Sequence, residues 1–185
     1  MLIESCQRHL GVCSYNDLPR FAKSDPGFWN VISLLEPSFP KLALRGFRKI
    51  HHARLYDVIG LEGLEGDSGL GIPRAEHLKD IFRFADSVPG EPLLVHCRAG
   101  ISRSTGVALC LIVRALHHRG DSTKLIAEQA PEIILQIRPQ AAPNPLILEL
   151  GFAEFLSATD ARDLVVKLVN HPRLLENRFL GESKR

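Results

Sequence analysis

The sequence contains few of the features that mark secreted, membrane-spanning or nucleic-acid-binding proteins. Four cysteines in 185 residues show neither C-x-x-C spacing nor the density of a disulfide scaffold, so a reducing, cytoplasmic setting is expected. No apolar run approaches the roughly 20 residues of a membrane span, and polar residues interrupt the N-terminus where a signal peptide needs its apolar core. A net charge of +2, with no basic run interleaved with aromatics, excludes nucleic-acid and membrane partners from the prediction.

What remains is ordinary for a globular protein. Apolar residues make up 45% of the chain and charged residues 24%, which is typical of a chain that folds around a buried core. A length of 185 residues fits one domain, and we predict a single domain over 1–185.

The most informative stretch is His-Cys-Arg-Ala-Gly-Ile-Ser-Arg-Ser at 96–104, between the apolar runs 93–95 and 107–116. This order predicts a strand, a tight loop and a helix. Gly100 lets the backbone curl until its amides converge on one point, and the helix adds its positive end, so the loop is suited to bind an anion. Arg103 can bind two phosphate oxygens at once, and Cys97 in the same positive field is a candidate nucleophile.

This stretch fits the H-C-x-x-G-x-x-R-S/T signature of the cysteine-dependent protein tyrosine phosphatases, and the compact chain resembles their dual-specificity branch, in particular its small bacterial members. The resemblance implies phosphomonoester hydrolysis through a cysteinyl-phosphate intermediate, with Cys97 as nucleophile, Arg103 as phosphate ligand and Ser104 easing departure of the sulfur. The implied phosphate-binding loop comprises His96, Arg98, Ala99, Gly100, Ile101, Ser102 and Arg103. No metal or other cofactor is implied, because the loop and its arginine supply the positive charge.

A second resemblance lies in the segment from Arg138 to Asn144. Dual-specificity phosphatases have an Arg…Pro–Asn segment before a helix beside the active site, and here Pro143 and Asn144 precede an apolar helical pattern. The two motifs extend the resemblance over about 31–156, which we take as the core of the domain. Residues 157–185 are expected to form a C-terminal helical extension, with a helix over 160–170 and a charged tail.

Protonation of the leaving group requires an acid, and two aspartates compete for this role. Asp57 follows a strand pattern, in a Tyr–Asp–Val context like that of the small bacterial family members. Asp67 lies thirty residues before Cys97, close to the family interval, but a glycine-rich segment between 60 and 71 has the character of an insertion and weakens that argument. We favour Asp57 and keep Asp67 as the alternative.

The alternation and apolar runs predict an α/β fold: a three-layer structure with a twisted, mostly parallel sheet of about four or five strands flanked by helices. Strands are expected at 30–35, 51–58 and 93–95, and residues 1–30 are weakly patterned. Helices are expected at 73–87 and 103–119, followed by one near 124–130 and a separate one that Pro131 opens and that ends at 136 or 137.

The expected partner is a phosphorylated protein or a small phosphomonoester, with phosphate or another oxyanion in the loop. Two alternatives are a rhodanese-like sulfurtransferase, whose loops typically bring the arginine one residue sooner, and a phosphate-binding module without turnover. Cys6 and Cys13 are interpreted as core or surface cysteines, with a resolving thiol for an oxidised Cys97 as the alternative.

Overall fold

The computed structural model describes residues 1–3, 7–40, 44–58 and 71–182. Its strands are β1 (Leu2–Ile3), β2 (Arg8–Ser14), β3 (Asn30–Leu35), β4 (Ile50–Arg54) and β5 (Leu93–Cys97). Its α-helices are α1 (Leu18–Ser24), α2 (Ala75–Asp86), α3 (Arg103–His118), α4 (Thr123–Ile137), α5 (Pro145–Phe152), α6 (Ala158–Val169) and α7 (Pro172–Glu182). A 3₁₀ turn, Tyr15–Asp17, connects β2 to α1.

The strands form one sheet in the order β1-β2-β5-β3-β4, in which β1 is antiparallel to β2 and all other pairs are parallel. β5 is the central strand and all five of its residues are buried, as its apolar sequence predicts for a strand covered on both faces. Its last residue, Cys97, pairs in register with Ser14 of β2 and Leu34 of β3. The carboxyl ends of three parallel strands therefore meet at one edge of the sheet.

Helices cover both faces of this sheet and complete the three-layer α/β architecture that the sequence predicts. One face packs against α1 through a small apolar cluster: Cys13, Leu18, Trp29, Val31 and Leu94. The other face packs against the remaining helices in a larger cluster, with α3 at its centre. The side chains of Leu164 and Leu174, from α6 and α7, belong to this larger cluster.

The structure differs from the sequence-based prediction in several elements. β2 and α1 lie in the weakly patterned N-terminal region, and the strand expected over 51–58 ends at Arg54. α4 continues through Pro131, because the loss of one N–H is offset by the packing of buried residues on either side of it against α3. The expected charged tail is largely helical, as α7. No helix in the described part of the chain has the length and apolar character that crossing a bilayer requires.

Candidate active site

Cys97 lies at the carboxyl end of β5, beneath the loop that leads into α3, and is 1% exposed. Its Sγ accepts a hydrogen bond from the Gly100 amide at 3.2 Å and lies 3.2 Å from the hydroxyl Oγ of Ser104. Both groups belong to the predicted loop motif. A sulfur that accepts an amide hydrogen bond and has a hydroxyl at this distance is held where negative charge on it would be stabilised.

The loop carbonyls from residue 98 to residue 102 all accept hydrogen bonds from groups outside the loop. The donors are, in chain order, the Tyr15 amide (3.1 Å), the Arg138 guanidinium for two successive carbonyls (3.3 and 3.0 Å), and the amides of Ala142 (3.0 Å) and Asn144 (3.3 Å). In a trans peptide the C=O and the following N–H point in opposite directions, and no described peptide bond is cis. The amides of residues 99–103 therefore face the inner side of the loop, as anion binding requires.

Gly100 is required at its position for a steric reason. It has a φ of +71°, and a Cβ there would lie 2.5 Å from the carbonyl carbon of Cys13 and 2.6 Å from the amide nitrogen of Ser14. The loop can approach β2 this closely only without a side chain.

Arg103, the first residue of α3, is 2% exposed and is held by two partners. Its guanidinium donates to the Leu55 carbonyl at 2.8 Å and to Oε1 of Glu36 at 2.6 Å. Its Nε is buried and donates no hydrogen bond to any described residue. Burial opposes ionisation of Glu36, but a hydrogen bond from its own backbone and the guanidinium of Arg103 outweigh this effect and lower the pKa of the carboxyl. The ion pair with Glu36 therefore orients the Arg103 guanidinium, whose Nε–H remains available to donate a hydrogen bond.

Asp57 lies beside this loop, three residues beyond the end of β4. Its Oδ1 accepts hydrogen bonds from the Ser102 hydroxyl at 2.6 Å and from Nδ2 of Asn144 at 3.0 Å, and its Oδ2 is 4.0 Å from Nε of Arg103. The structure thus brings Asp57, the favoured acid, into contact with the loop. Asp67, the alternative, lies outside the described residues.

The second motif, from Arg138 to Asn144, contacts the candidate site on the side where α5 begins. Asn144 caps α5 by accepting the Ile147 amide at 3.1 Å, while its Nδ2 donates to Asp57 and to the carbonyl of Val58 at 2.8 Å. Arg138 binds the outer side of the loop, as described above. Both polar residues of the motif therefore contact the candidate active site, one at the carboxylate and one at the loop backbone.

His96 and Cys13 lie side by side in register on β5 and β2. Adjacent residues of a strand point to opposite faces, so both side chains are on the face opposite that of Cys97. Burial lowers the pKa of His96 to about 4 and raises the pKa of Cys13 to about 12. Because the sheet separates the two thiols, Cys13 is not placed to resolve an oxidised Cys97. Cys6 lies outside the described residues.

The residue that the sequence analysis missed is Glu36. Its only signal is its place directly after a buried strand, since a polar residue there lies at the carboxyl edge where sites form in parallel sheets. The connection between Glu36 and Arg103 can be made only when the order of the strands in the sheet is known, because β3 and β5 are not consecutive in the chain. Among the described residues, no group of three or more histidine, cysteine or carboxylate side chains is arranged to hold a metal ion.

Comparison with solved structures identifies the fold. The chain resembles DUSP15, with a TM-score of 0.56 at 22% identity over 89% of this chain and 92% of that chain. It resembles human DUSP28, with a TM-score of 0.52 at 20% identity over 91% and 93% of the two chains. A third similar structure is PTPMT1 in complex with PI(5)P, with a TM-score of 0.52 at 17% identity over 86% and 94%.

No protein-family model and no curated protein matches the sequence. The structural likenesses show that this chain has the fold of DUSP15 and human DUSP28, which is the fold that the sequence resemblance implies.

Proposed function

We propose that the protein is a cysteine-dependent phosphomonoesterase of the tyrosine or dual-specificity type. The observation that carries the proposal is the orientation of the loop backbone, whose carbonyls from 98 to 102 are all bound from outside. The site beside the Cys97 sulfur favours a tetrahedral anion for three reasons. These are the loop amides that point inward, the N-terminus of α3 and the Nε of Arg103, which has no described hydrogen-bond partner. The fold shared with DUSP15 and human DUSP28 supports the same assignment.

In the first step, the Cys97 thiolate attacks phosphorus. The S–P bond forms, the ester P–O bond breaks, and the leaving oxygen takes a proton from Asp57. The loop amides and Arg103 stabilise the charge on the three equatorial oxygens. The hydrogen bonds from Ser102 and Asn144 position the Asp57 carboxyl for this transfer.

In the second step, water attacks the phosphocysteine. The new P–O bond forms as the S–P bond breaks, and the water gives a proton to the Asp57 carboxylate. The Ser104 hydroxyl, 3.2 Å from the sulfur, stabilises the departing thiolate. A free thiolate nucleophile suits a reducing compartment such as the cytoplasm. Phosphorylated side chains are the expected substrates, and phosphoinositides are a second candidate class because the similar PTPMT1 structure contains PI(5)P.

The test is the pH dependence of para-nitrophenyl phosphate hydrolysis without added metal, for the wild type, Asp57→Asn and Asp67→Asn. If Asp57 is the acid, its replacement lowers kcat about 10²-fold and removes the alkaline limb of the profile. Phenyl phosphate, with its more basic leaving group, is affected more strongly.

Asp67→Asn is the matched control and is expected to retain the wild-type profile. Loss of the alkaline limb in this variant instead would transfer the acid role to Asp67. Failure of the wild type to release phosphate, or sulfur transfer from thiosulfate to cyanide, would refute the phosphatase assignment.

A further inference from the structure

A groove of about 550 Å³ adjoins the candidate active site. Tyr15 connects the two, because its amide donates to the Arg98 carbonyl of the loop and its side chain lines the groove. The Tyr15 ring is held edge-on against Phe39, with 5.1 Å between ring centroids. From Tyr15 the groove extends between α1 and residues 44–47, over an apolar surface formed by Leu18, Pro19, Ala22, Leu44 and Phe47.

Positive charge lines the same groove. Lys23, in the last turn of α1, and Arg45 are both exposed, and neither forms an ion pair with a described residue. None of the described residues lining the groove is acidic. Asp17 and Asp25 adjoin α1 but do not line the groove, and they accept hydrogen bonds from the hydroxyls of Ser14 and Ser24. The groove therefore offers apolar surface together with two cationic side chains that pair with no described carboxylate.

The length of the groove fits an extended peptide. The seven residues of α1 span about 10 Å at 1.5 Å per residue, a distance covered by about three residues of extended chain. Because Tyr15 contacts the loop and lines the groove, a peptide whose phosphorylated residue occupies the loop would reach the groove within a few residues, and we take positions two to four from that residue as those that meet it. Their side chains would meet the apolar surface first and Lys23 at the far end.

We propose that this groove binds the segment flanking the phosphorylated residue of an extended phosphopeptide, and that it selects an apolar residue followed by an acidic one. The inference rests on the proposed phosphatase function. A phospholipid acyl chain is disfavoured, because two charged side chains would have to lie against it. Charge complementarity with Lys23 and Arg45 favours a carboxylate on the substrate.

The experiment uses phosphotyrosine peptides with leucine two residues and glutamate four residues from the phosphotyrosine, placed on either side, and matched peptides with lysine for glutamate. We expect the wild type to favour glutamate about tenfold in kcat/KM on one side. The double variant Lys23→Glu/Arg45→Glu should reverse this preference and leave kcat/KM for para-nitrophenyl phosphate unchanged.

The matched control is Lys124→Glu/Arg162→Glu, which makes the same change in net charge at exposed positions of α4 and α6 and should retain the preference. Equal rates for all peptides, or reversal by the control as well, would overturn the groove proposal alone. Loss in the groove variant confined to dioctanoyl phosphatidylinositol 5-phosphate would assign the groove to a lipid and overturn it also. No hydrolysis of para-nitrophenyl phosphate by the wild type would overturn the phosphatase function and, with it, the groove proposal.

Discussion

Cys97 and Cys13 lie on neighbouring strands, and each is 1% exposed, yet their surroundings differ completely. Cys13 is packed in the apolar cluster beneath α1, and burial raises its pKa to about 12. Cys97 receives an amide hydrogen bond from Gly100 and lies beside the Ser104 hydroxyl at the N-terminal end of α3. Two thiols of equal burial are thus distinguished by the donors that the loop places around one of them. The two thiols therefore differ in the groups that surround the sulfur and not in exposure.

The largest expected difference between the two thiols is the effect of replacing each of them. Cys97→Ser should lower phosphatase activity by about 10⁴-fold or more, because a hydroxyl replaces the thiolate nucleophile. Cys13→Ala should leave kcat within about twofold and lower the free energy of unfolding by about 1 kcal/mol through a small cavity. Steady-state hydrolysis of para-nitrophenyl phosphate and urea unfolding measure the two effects. Comparable loss of activity in both variants would remove the distinction.

A substitution at Gly100 disrupts the close contact between the loop and the Cys13 backbone while leaving both thiols in place. Gly100→Ala should lower kcat about 10²-fold, because its Cβ would collide with the Cys13 backbone and displace the loop from the sulfur. The matched control is Gly120→Ala, which also has a positive φ (+94°) but nothing within 4 Å of the added Cβ. This control should lose about 1 kcal/mol of stability and no activity. Equal kinetic effects in the two variants would show that the close approach is irrelevant.

The smallest expected effect concerns His96, the register partner of Cys13. Its pKa in the folded protein is about 4, below the unperturbed value of roughly 6.5, so the unfolded chain binds more protons between these pH values. The free energy of unfolding should therefore fall as the pH falls through this window, by about 2 kcal/mol from about pH 7.5 to about pH 5. Urea denaturation across this range should show a steeper decline for the wild type than for His96→Asn. Parallel curves would mean that His96 contributes nothing to the acid sensitivity.

The loop could be predicted from the sequence because its geometry is local. A strand, a glycine that permits a positive φ and a helix start occur within nine consecutive residues, and they set the placement of Cys97, Gly100 and Ser104 with little help from the rest of the chain. The central strand β5, which is buried on both faces, can also be predicted from its apolar run. The strand β2 cannot be predicted in this way, because its residues show no clear alternation although four of its seven positions are buried.

The contacts that complete the site required the tertiary structure. Glu36 reaches Arg103, and Asp57 reaches Asn144, across 67 and 87 residues of chain. These pairs meet because β5 lies between β2 and β3 in the sheet, and strand order depends on how the helices pack rather than on any local pattern. The loop at 96–104 and the α/β class can be predicted from local sequence, since both follow from short-range backbone geometry and apolar periodicity. Local sequence does not reveal which carboxylates face the loop or where the groove beside it runs, since both depend on segments that are distant in the chain.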